Sequence, residues 1–498
     1  MENTANAGAL PLKRWPIVMA LLIGAFVSIL NQTLMNVALP HMMRDLKVTE
    51  TTIQWLVTGF MLVNGVLIPV SAYLMERFTT RGLFVAAMTL FTIGTVVCGI
   101  GTNFEMVLTG RLIQAAGAGV LMPLMTVVFL TIFPIEKRGQ AMGTMGIAMV
   151  FAPAVGPTLS GWIIEHHPWN MLFWIILPFS VLSVILGVIF MRNVTEVSRP
   201  KLDVLSVILS TLGFGGILYG FSEAGSLGWG AGEVTVSLIV GAVALALFLW
   251  RQVKSSHPML EFRVFSYDMF SLTTVINVIV TMALYAAMIL LPIYLQTIRG
   301  FSPLESGLLL MPGAILMGIM SPVTGIIFDR IGARWLAVTG LAITTVTTWE
   351  FSRLTDSTTY TQLILIYTVR MFGMSMLMMP IQTAGLNQLP ARLNAHGTAM
   401  SNTLRTIAGA LGTALLVSIM SSRTKDRVTE MILAAGINPR DPANTEQLAQ
   451  ITKAATINGI DFAFEVATGI TLAAFLLSFF IRKVRVGQGG RNRINKRA

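Results

Sequence analysis

Apolar runs long enough to cross a bilayer recur fourteen times along the 498 residues: 15–38, 53–74, 82–102, 104–132, 141–164, 168–190, 203–222, 231–250, 268–295, 307–328, 333–351, 360–382, 396–419 and 462–481. A hydrocarbon layer about 30 Å thick takes some twenty residues of helix, and a backbone inside it must satisfy its own hydrogen bonds. Helices and closed barrels meet that demand, and none of these runs alternates as barrel strands do. An all-α polytopic membrane protein with fourteen crossings is therefore expected. Composition agrees, with 54% hydrophobic and 11% charged residues, where soluble proteins carry about 25% charge. The first run ends in Asn36, Pro40 and His41 rather than in a small-residue cleavage site, and reads as a retained span. The lone cysteine, Cys98, sits within a run and leaves the redox compartment open.

The net charge of +11 lies mostly in short loops and the C-terminal tail, next to apolar segments. That distribution suits anionic lipid headgroups rather than nucleic acid. With the N-terminus inside, Lys13, Arg14, Arg77, Arg81, Lys137, Arg138, Arg192, Arg199, Lys201, Arg251, Lys254, Arg263, Arg330, Arg334, Arg392 and the tail from Arg482 are cytoplasmic. Both termini are expected on that face of the plasma membrane. The mixed-charge segment 420–461 reads as an extracellular loop carrying a short surface helix or two, most simply a solvated connector.

Two stretches echo each other. AYLMERFTTR (72–81) follows the second run and GIIFDRIGAR (325–334) follows the tenth. Glu76 aligns with Asp329, Arg77 with Arg330 and Arg81 with Arg334. The spacing implies two six-helix bundles, 1–195 and 261–498, with an extra helix pair and linker at 196–260 between them. An acid at a helix end can accept backbone or arginine hydrogen bonds across a gap that opens and closes. The plain alternative is that these charges flank membrane helices and do nothing more.

Polar groups inside the runs carry the next constraint, because a membrane cation is costly and faces the bundle interior. Arg111 stands near the start of the fourth run, and Asn31 lies a similar distance inside the first. Both fall roughly 10 Å below the same boundary, with Gln114 one turn from Arg111. Gln32 and Asn36 flank Asn31. These amides either line a polar cavity or lock the arginine. Arg370 and Arg405 are further intramembrane cations, with Gln382 and Asn402 near them. In the fifth run, Gly143, Gly146, Pro153, Gly156, Pro157 and Gly161 give a smooth helix suited to close packing or pivoting. The 31 methionines could line an adaptable cavity, and ordinary packing accounts for many of them equally well.

Together these features resemble the fourteen-span drug:proton antiporters of the major facilitator superfamily, over nearly the whole chain. AYLMERFTTR is similar to that family's loop motif at Leu74, Glu76, Arg77 and Arg81, with Ala72 and Thr79 where glycines are usual. RLIQAAGAG resembles its span-four motif at Arg111, Gln114 and Gly117. APAVGPTLSGW resembles its antiporter motif at Pro153, Gly156, Pro157 and Gly161. LNQTLMNVALP resembles the first-span motif at Thr33, Asn36, Ala38, Leu39 and Pro40. The likeness breaks at Asn31, where most of the branch carries an aspartate taken as a proton or cation site. A neutral amide cannot titrate. The resemblance is closest to a lincosamide-resistance-like subgroup.

What the resemblance implies is proton-coupled multidrug efflux by alternating access, exporting amphipathic or apolar compounds and antibiotics. The expected partners are these molecules, protons and membrane lipids. The protein is expected to act as a monomer without cofactor, powered by the proton gradient. With Asn31 neutral, coupling falls to another acid: Glu465 and Glu350 on depth, Glu223 next, with Asp203 and Asp461 at span ends. No GxxxxGK[ST] pattern appears, and His41, His166, His167, His257 and His396 form no HExxH site, so neither an ATPase nor a membrane enzyme is expected. The competing reading is a physiological metabolite or lipid-related exporter with incidental drug transport.

Overall fold

A computed structural model describes residues 14–195, 197–198, 203–255, 258–436 and 444–482. Lys13, Arg199, Lys201, His257, the tail beyond Arg482 and the Asn36 side chain lie outside the described residues. Every regular element among the described residues is helical. The first eight helices are α1 (Arg14–Asp45), α2 (Glu50–Arg77), α3 (Thr80–Gly99), α4 (Phe104–Ile132), α5 (Arg138–His166), α6 (Met171–Phe190), α7 (Val204–Leu227) and α8 (Gly232–Lys254). There follow α9 (Asp268–Ile293), α10 (Pro303–Ile331), α11 (Ala333–Glu350), α12 (Tyr360–Ser375), α13 (Met378–Leu386), α14 (Asn394–Ala435) and α15 (Thr445–Ser478).

Thirteen crossings among the described residues are long and apolar enough by themselves to span a membrane. The fourteenth is α11, whose 18 residues span about 27 Å at 1.5 Å per residue. Its threonines lower its hydropathy, but Thr339, Thr347 and Thr348 each return their hydroxyls to carbonyls of their own helix. One run splits: α12 and α13 make a single crossing interrupted at Met376 and Leu377. In segment 420–461 the expected helix or two are present, and they are continuations of the spans rather than separate surface helices, because α14 continues to Ala435 and α15 starts at Thr445. Its charged residues lowered the hydropathy, while its Ala, Leu, Met, Arg and Glu are good helix formers.

The helix starts are written in the sequence. Asn103 caps α4 by accepting the Met106 N–H at 2.9 Å. Ser302 and Glu305 form a reciprocal capping box ahead of α10, with Pro303 in the first turn. Asp203 caps α7 and receives two bonds from Arg251 of α8, at 2.8 and 2.9 Å. The Arg251 guanidinium holds the Asp203 carboxyl down to about 2.

One apolar core gathers α1 to α6 and a second gathers α9 to α15. A third, built around Val70, Tyr73, Leu130, Phe214, Phe270 and Met400, joins α2, α4, α7, α8, α9, α13 and α14. The helices α7 and α8 pack on each other through Gly213, Gly216 and Gly241, and α7 leans on α2 and α14.

The seam between α5 and α10 is set by glycine. A Cβ added at Gly143 would stand 2.5 Å from the Ser321 carbonyl oxygen, and one at Gly325 would stand 2.2 Å from that of Gly139. Gly156 packs on α1, its added Cβ 2.2 Å from the Thr33 hydroxyl, whereas Gly161 faces open space. The small residues of the fifth run therefore divide: Gly139, Gly143 and Gly146 serve α10, and Gly156 serves α1. Gly143→Val and Gly325→Val should each cost at least about 1–3 kcal/mol through overpacking. Gly161→Ala should stay within about 0.5 kcal/mol of the parent. Thermal midpoints of the purified variants check this, and equal losses in all three would contradict the seam.

Candidate functional site

Arg111 is fully buried on α4. It reaches its position because α3 and α4 meet at Gly94 and Gly110, where a Cβ on Gly94 would lie 2.5 Å from the Gly110 carbonyl oxygen. Its Nε donates to the Leu56 carbonyl of α2 at 3.1 Å, and its Nη1 donates to Gln114 Oε1 at 3.0 Å. Asn31 Nδ2 of α1 donates to that same oxygen at 3.0 Å, and Gln114 Nε2 donates to Thr95 of α3 at 2.8 Å. The guanidinium also lies 4.2 Å from the Phe60 ring centroid, a contact that adds to the stabilisation of a desolvated cation. Gln114 is thus the hub through which Asn31 and Arg111 meet, and four helices share one network. The flanking Gln32 is half-buried.

The second half holds a comparable node. Arg370 of α12 is fully buried, donates to the Ala283 carbonyl of α9 at 2.7 Å, and donates to the hydroxyl of Thr348 on α11. In each half a guanidinium on the fourth crossing connects to a threonine on the third, through Gln114 in one and directly in the other. Arg405 of α14 is half-buried, within electrostatic reach of Tyr285.

The two repeated motifs meet at the end of the bundle that carries Arg77, Arg330 and Arg392, called here the basic end. Asp329 of α10 accepts two backbone N–H groups in the first turn of α5, from Gly139 at 2.7 Å and Gln140 at 2.9 Å. Unpaired N–H groups and the helix dipole make that turn a ready acceptor of negative charge. Glu76, at the end of α2, bonds His396 at the start of α14 at 2.9 Å. The arrangement is reciprocal: the acid ending the second crossing of each half holds the start of the fifth crossing of the other. Arg138 of α5 adds a bond to Asn387 at 2.9 Å. His396 Nδ1 faces the Glu261 N–H at 3.4 Å, so the linker after α8 joins the same clasp.

The arginines of the motifs have other work. Arg81 donates to the Val188 carbonyl at the end of α6, and its own N–H goes to Asn193, both within the first half. Arg77 is exposed, and the Arg334 guanidinium lies over Trp335. Arg330 sits in the last turn of α10. Within α5, Pro153 and Pro157 are contained in one continuous helix, where Ser160 donates to the Leu34 carbonyl of α1 at 2.7 Å.

Glu350 and Glu465 are exposed, and Glu223 is half-buried near Tyr219. Asp461 is half-buried and accepts the Leu354 N–H at 3.1 Å. A groove of about 730 Å³, walled by Trp55, Leu62, Tyr219, Glu233 and Val240, opens between α2, α7 and α8. Sequence reasoning passed over Thr95, Thr348 and Asn387, and weighed His396 only as a possible enzyme residue. Each is an ordinary residue for its local context, and its role comes from a partner 19 to 320 positions away.

Residues 21–413 match the family described as Major Facilitator Superfamily. The chain is 50% identical over 495 residues to the uncharacterised MFS-type transporter YhcA of Bacillus subtilis (strain 168), covering 94% of this chain and 93% of that one. It is 45% identical over 488 residues to the lincomycin resistance protein LmrB of the same organism, covering 98% and 99%. In fold it is similar to the crystal structure of the human organic anion transporter MFSD10 (TETRAN), with a TM-score of 0.66 at 13% identity over 94% of this chain and 99% of that one.

Arg111→Lys should lower stability by about 2–3 kcal/mol, because one ammonium cannot bridge Leu56 and Gln114 while lying on Phe60. An unchanged thermal midpoint would contradict the node. Asp329→Asn should loosen the basic end, since an amide cannot accept both N–H groups as a carboxylate does. A cysteine replacing the buried Ser321, which packs on Gly143 and Gly146 across the seam, should then react with maleimide about 5–30 times faster, the equivalent of 1–2 kcal/mol. Equal rates with and without the substitution would count against the clasp.

Proposed function

The chain belongs to the major facilitator superfamily, and we propose that within it the protein exports amphipathic small molecules, lincosamide-type antibiotics among them, in exchange for protons. It is a multi-pass membrane transporter rather than an enzyme. In the proposed cycle the basic end faces the cytoplasm, with both termini there. The cavity between the halves opens to that side, takes up the compound, and reverses as a proton enters from outside.

The observation that carries this reading is the reciprocal pair of acid clasps across the two halves. Such bonds hold one end shut without fixing the halves along their length, as alternating access requires. The glycine-lined α5–α10 seam supports the same reading, because the two backbones meet with few side chains between them, Phe151 against Gly318 and Phe328 against Gly139 among these. A relative named for lincomycin resistance, matched over 98% of this chain, supports an antibiotic as one cargo. Proton coupling is supported by the absence of a nucleotide-binding pattern in the sequence, which points to an ion gradient as the energy source. Glu223, Glu350, Asp461 and Glu465 are the proposed coupling candidates, since Asn31 bears no titratable proton.

Inside-out vesicles test the exchange directly. Lincomycin added to energised vesicles containing the protein should dissipate the interior-acid pH gradient, and a protonophore should abolish export from cells. Lincomycin export that persists in full with the proton gradient collapsed would refute the coupling.

A further inference from the structure

Besides Asn394 at the start of α14, three amides deeper in the second half are buried with a polar atom left unpaired: Asn277 Oδ1 on α9, Gln382 Oε1 on α13 and Asn402 Nδ2 on α14. These three residues are 3%, 5% and 6% exposed. Thr403 Oγ1, 2% exposed, is unpaired as well. A buried amide left unpaired costs about 1–3 kcal/mol, so four such atoms would be an expensive way to fill a dry seam.

Helix register places them at one level. Gln388 accepts the N–H groups of Met269 and Phe270, and Gly385 packs on Thr273, so the antiparallel α13 sets Gln382 beside residues 275–276 of α9. Gly397 packs on Phe270 and Gly412 on Met282, so the parallel α14 brings the turn from Asn402 to Arg405 beside Asn277. Asn277 stands nine residues into α9, about 13 Å from its start. Beyond α9, α13 also packs on α5, and α14 on α2 and α4, so this level lies where the two halves meet. The clasps at Glu76–His396 and Arg138–Asn387 close the bundle on its basic side.

We propose that Asn277, Gln382, Asn402 and Thr403 form a binding layer for the neutral, hydroxyl- or amide-bearing head of an amphipathic cargo, reached when the basic-end clasps release. The chemistry selects that class. Amides and a hydroxyl offer both donors and acceptors, which a polyhydroxylated or amide group matches. Beyond Asp268, α9 has no carboxylate, and neither does α13 nor α14 up to Lys425, so a cationic head would find no counter-ion. Arg405 in the same turn repels such a head further. An apolar body then lies against surrounding methionine and aliphatic side chains, which adapt to varied shapes. This inference rests on the export reading and adds to it the kind of molecule that fits.

Two dansyl probes differing in their heads test it on the full chain in phospholipid nanodiscs. One carries N-methylglucamine as a neutral sulfonamide with five hydroxyls, and the other a trimethylammonium group. Wild type should bind the glucamine probe at least about tenfold more tightly than the cationic probe by dansyl fluorescence. Gln382→Leu should weaken the glucamine probe about tenfold. The isosteric Asn402→Asp removes a donor and adds a charge, so it should reverse the preference towards the cation without altering shape. Equal affinity for both probes, or unchanged affinities in folded Asn402→Asp, would overturn the proposal. So would failure to bind either probe in a preparation that still exports lincomycin, which leaves the export reading intact. Probe binding retained without any proton-driven export would instead defeat the export reading and leave the layer standing.

Discussion

A polar group inside a bundle that crosses hydrocarbon must find its partner on another helix, and which helix that is decides what can move. Arg111 and Arg370 find theirs inside their own halves. Breaking those bonds would strand a desolvated cation, so each node ties its half into a stiff unit. Between halves, the directional bonds described above gather at the basic end, where Glu76 and Gln140 retain access to water. A carboxylate released there is rehydrated, which lowers the cost of opening. Rigid halves with breakable bonds at the water's edge are what a rocking motion needs.

The seam beneath the clasps follows the same logic. Glycines at 139, 143 and 325 let the α5 and α10 backbones touch, while Phe151 seated on Gly318 and Phe328 on Gly139 set the register of the contact. The same α5 is fixed to α1 by Gly156 against Thr33 and by Ser160 bonding the Leu34 carbonyl. One face of α5 therefore belongs to its own half and the other packs on the partner half. The prolines at 153 and 157 remove backbone donors on the stretch where α5 meets α1, and they lie within a helix that remains continuous.

Much of this was legible from the chain alone. A guanidinium or amide in an apolar run is conspicuous, so Asn31, Arg111, Gln114 and Arg370 stood out by position. The repeated acids Glu76 and Asp329 stood out by recurrence. Their partners did not. His396 looks like any histidine near a helix start, and its bond to Glu76 depends on how two halves 320 positions apart dock. Nor did the motif arginines reveal that Arg81 works within its own half. The helices expected in segment 420–461 were not seen to be extensions of the spans, because hydropathy judges membrane crossing and is silent on helices that continue past the boundary. Gly161, conspicuous in a motif-like run, stands where an added Cβ would meet nothing. Local chemistry identifies the costly groups, and interhelical register determines whom they meet.

The central claim is that two stiff halves exchange closure between the ends of the bundle. Distance distributions from paired spin labels in liposomes test it most directly. One pair would occupy the exposed Arg77 and Arg392 at the basic end, and another the exposed Trp162 and Leu304 at the opposite end. A third pair, within one half at Ile100 and Trp174, serves as the reference. Varying pH and antibiotic should produce two populations in each cross-half pair, with the basic end lengthening as the opposite end shortens and the reference unmoved. A single unchanging distance across both ends, or a reference distance that shifts with them, would contradict the account.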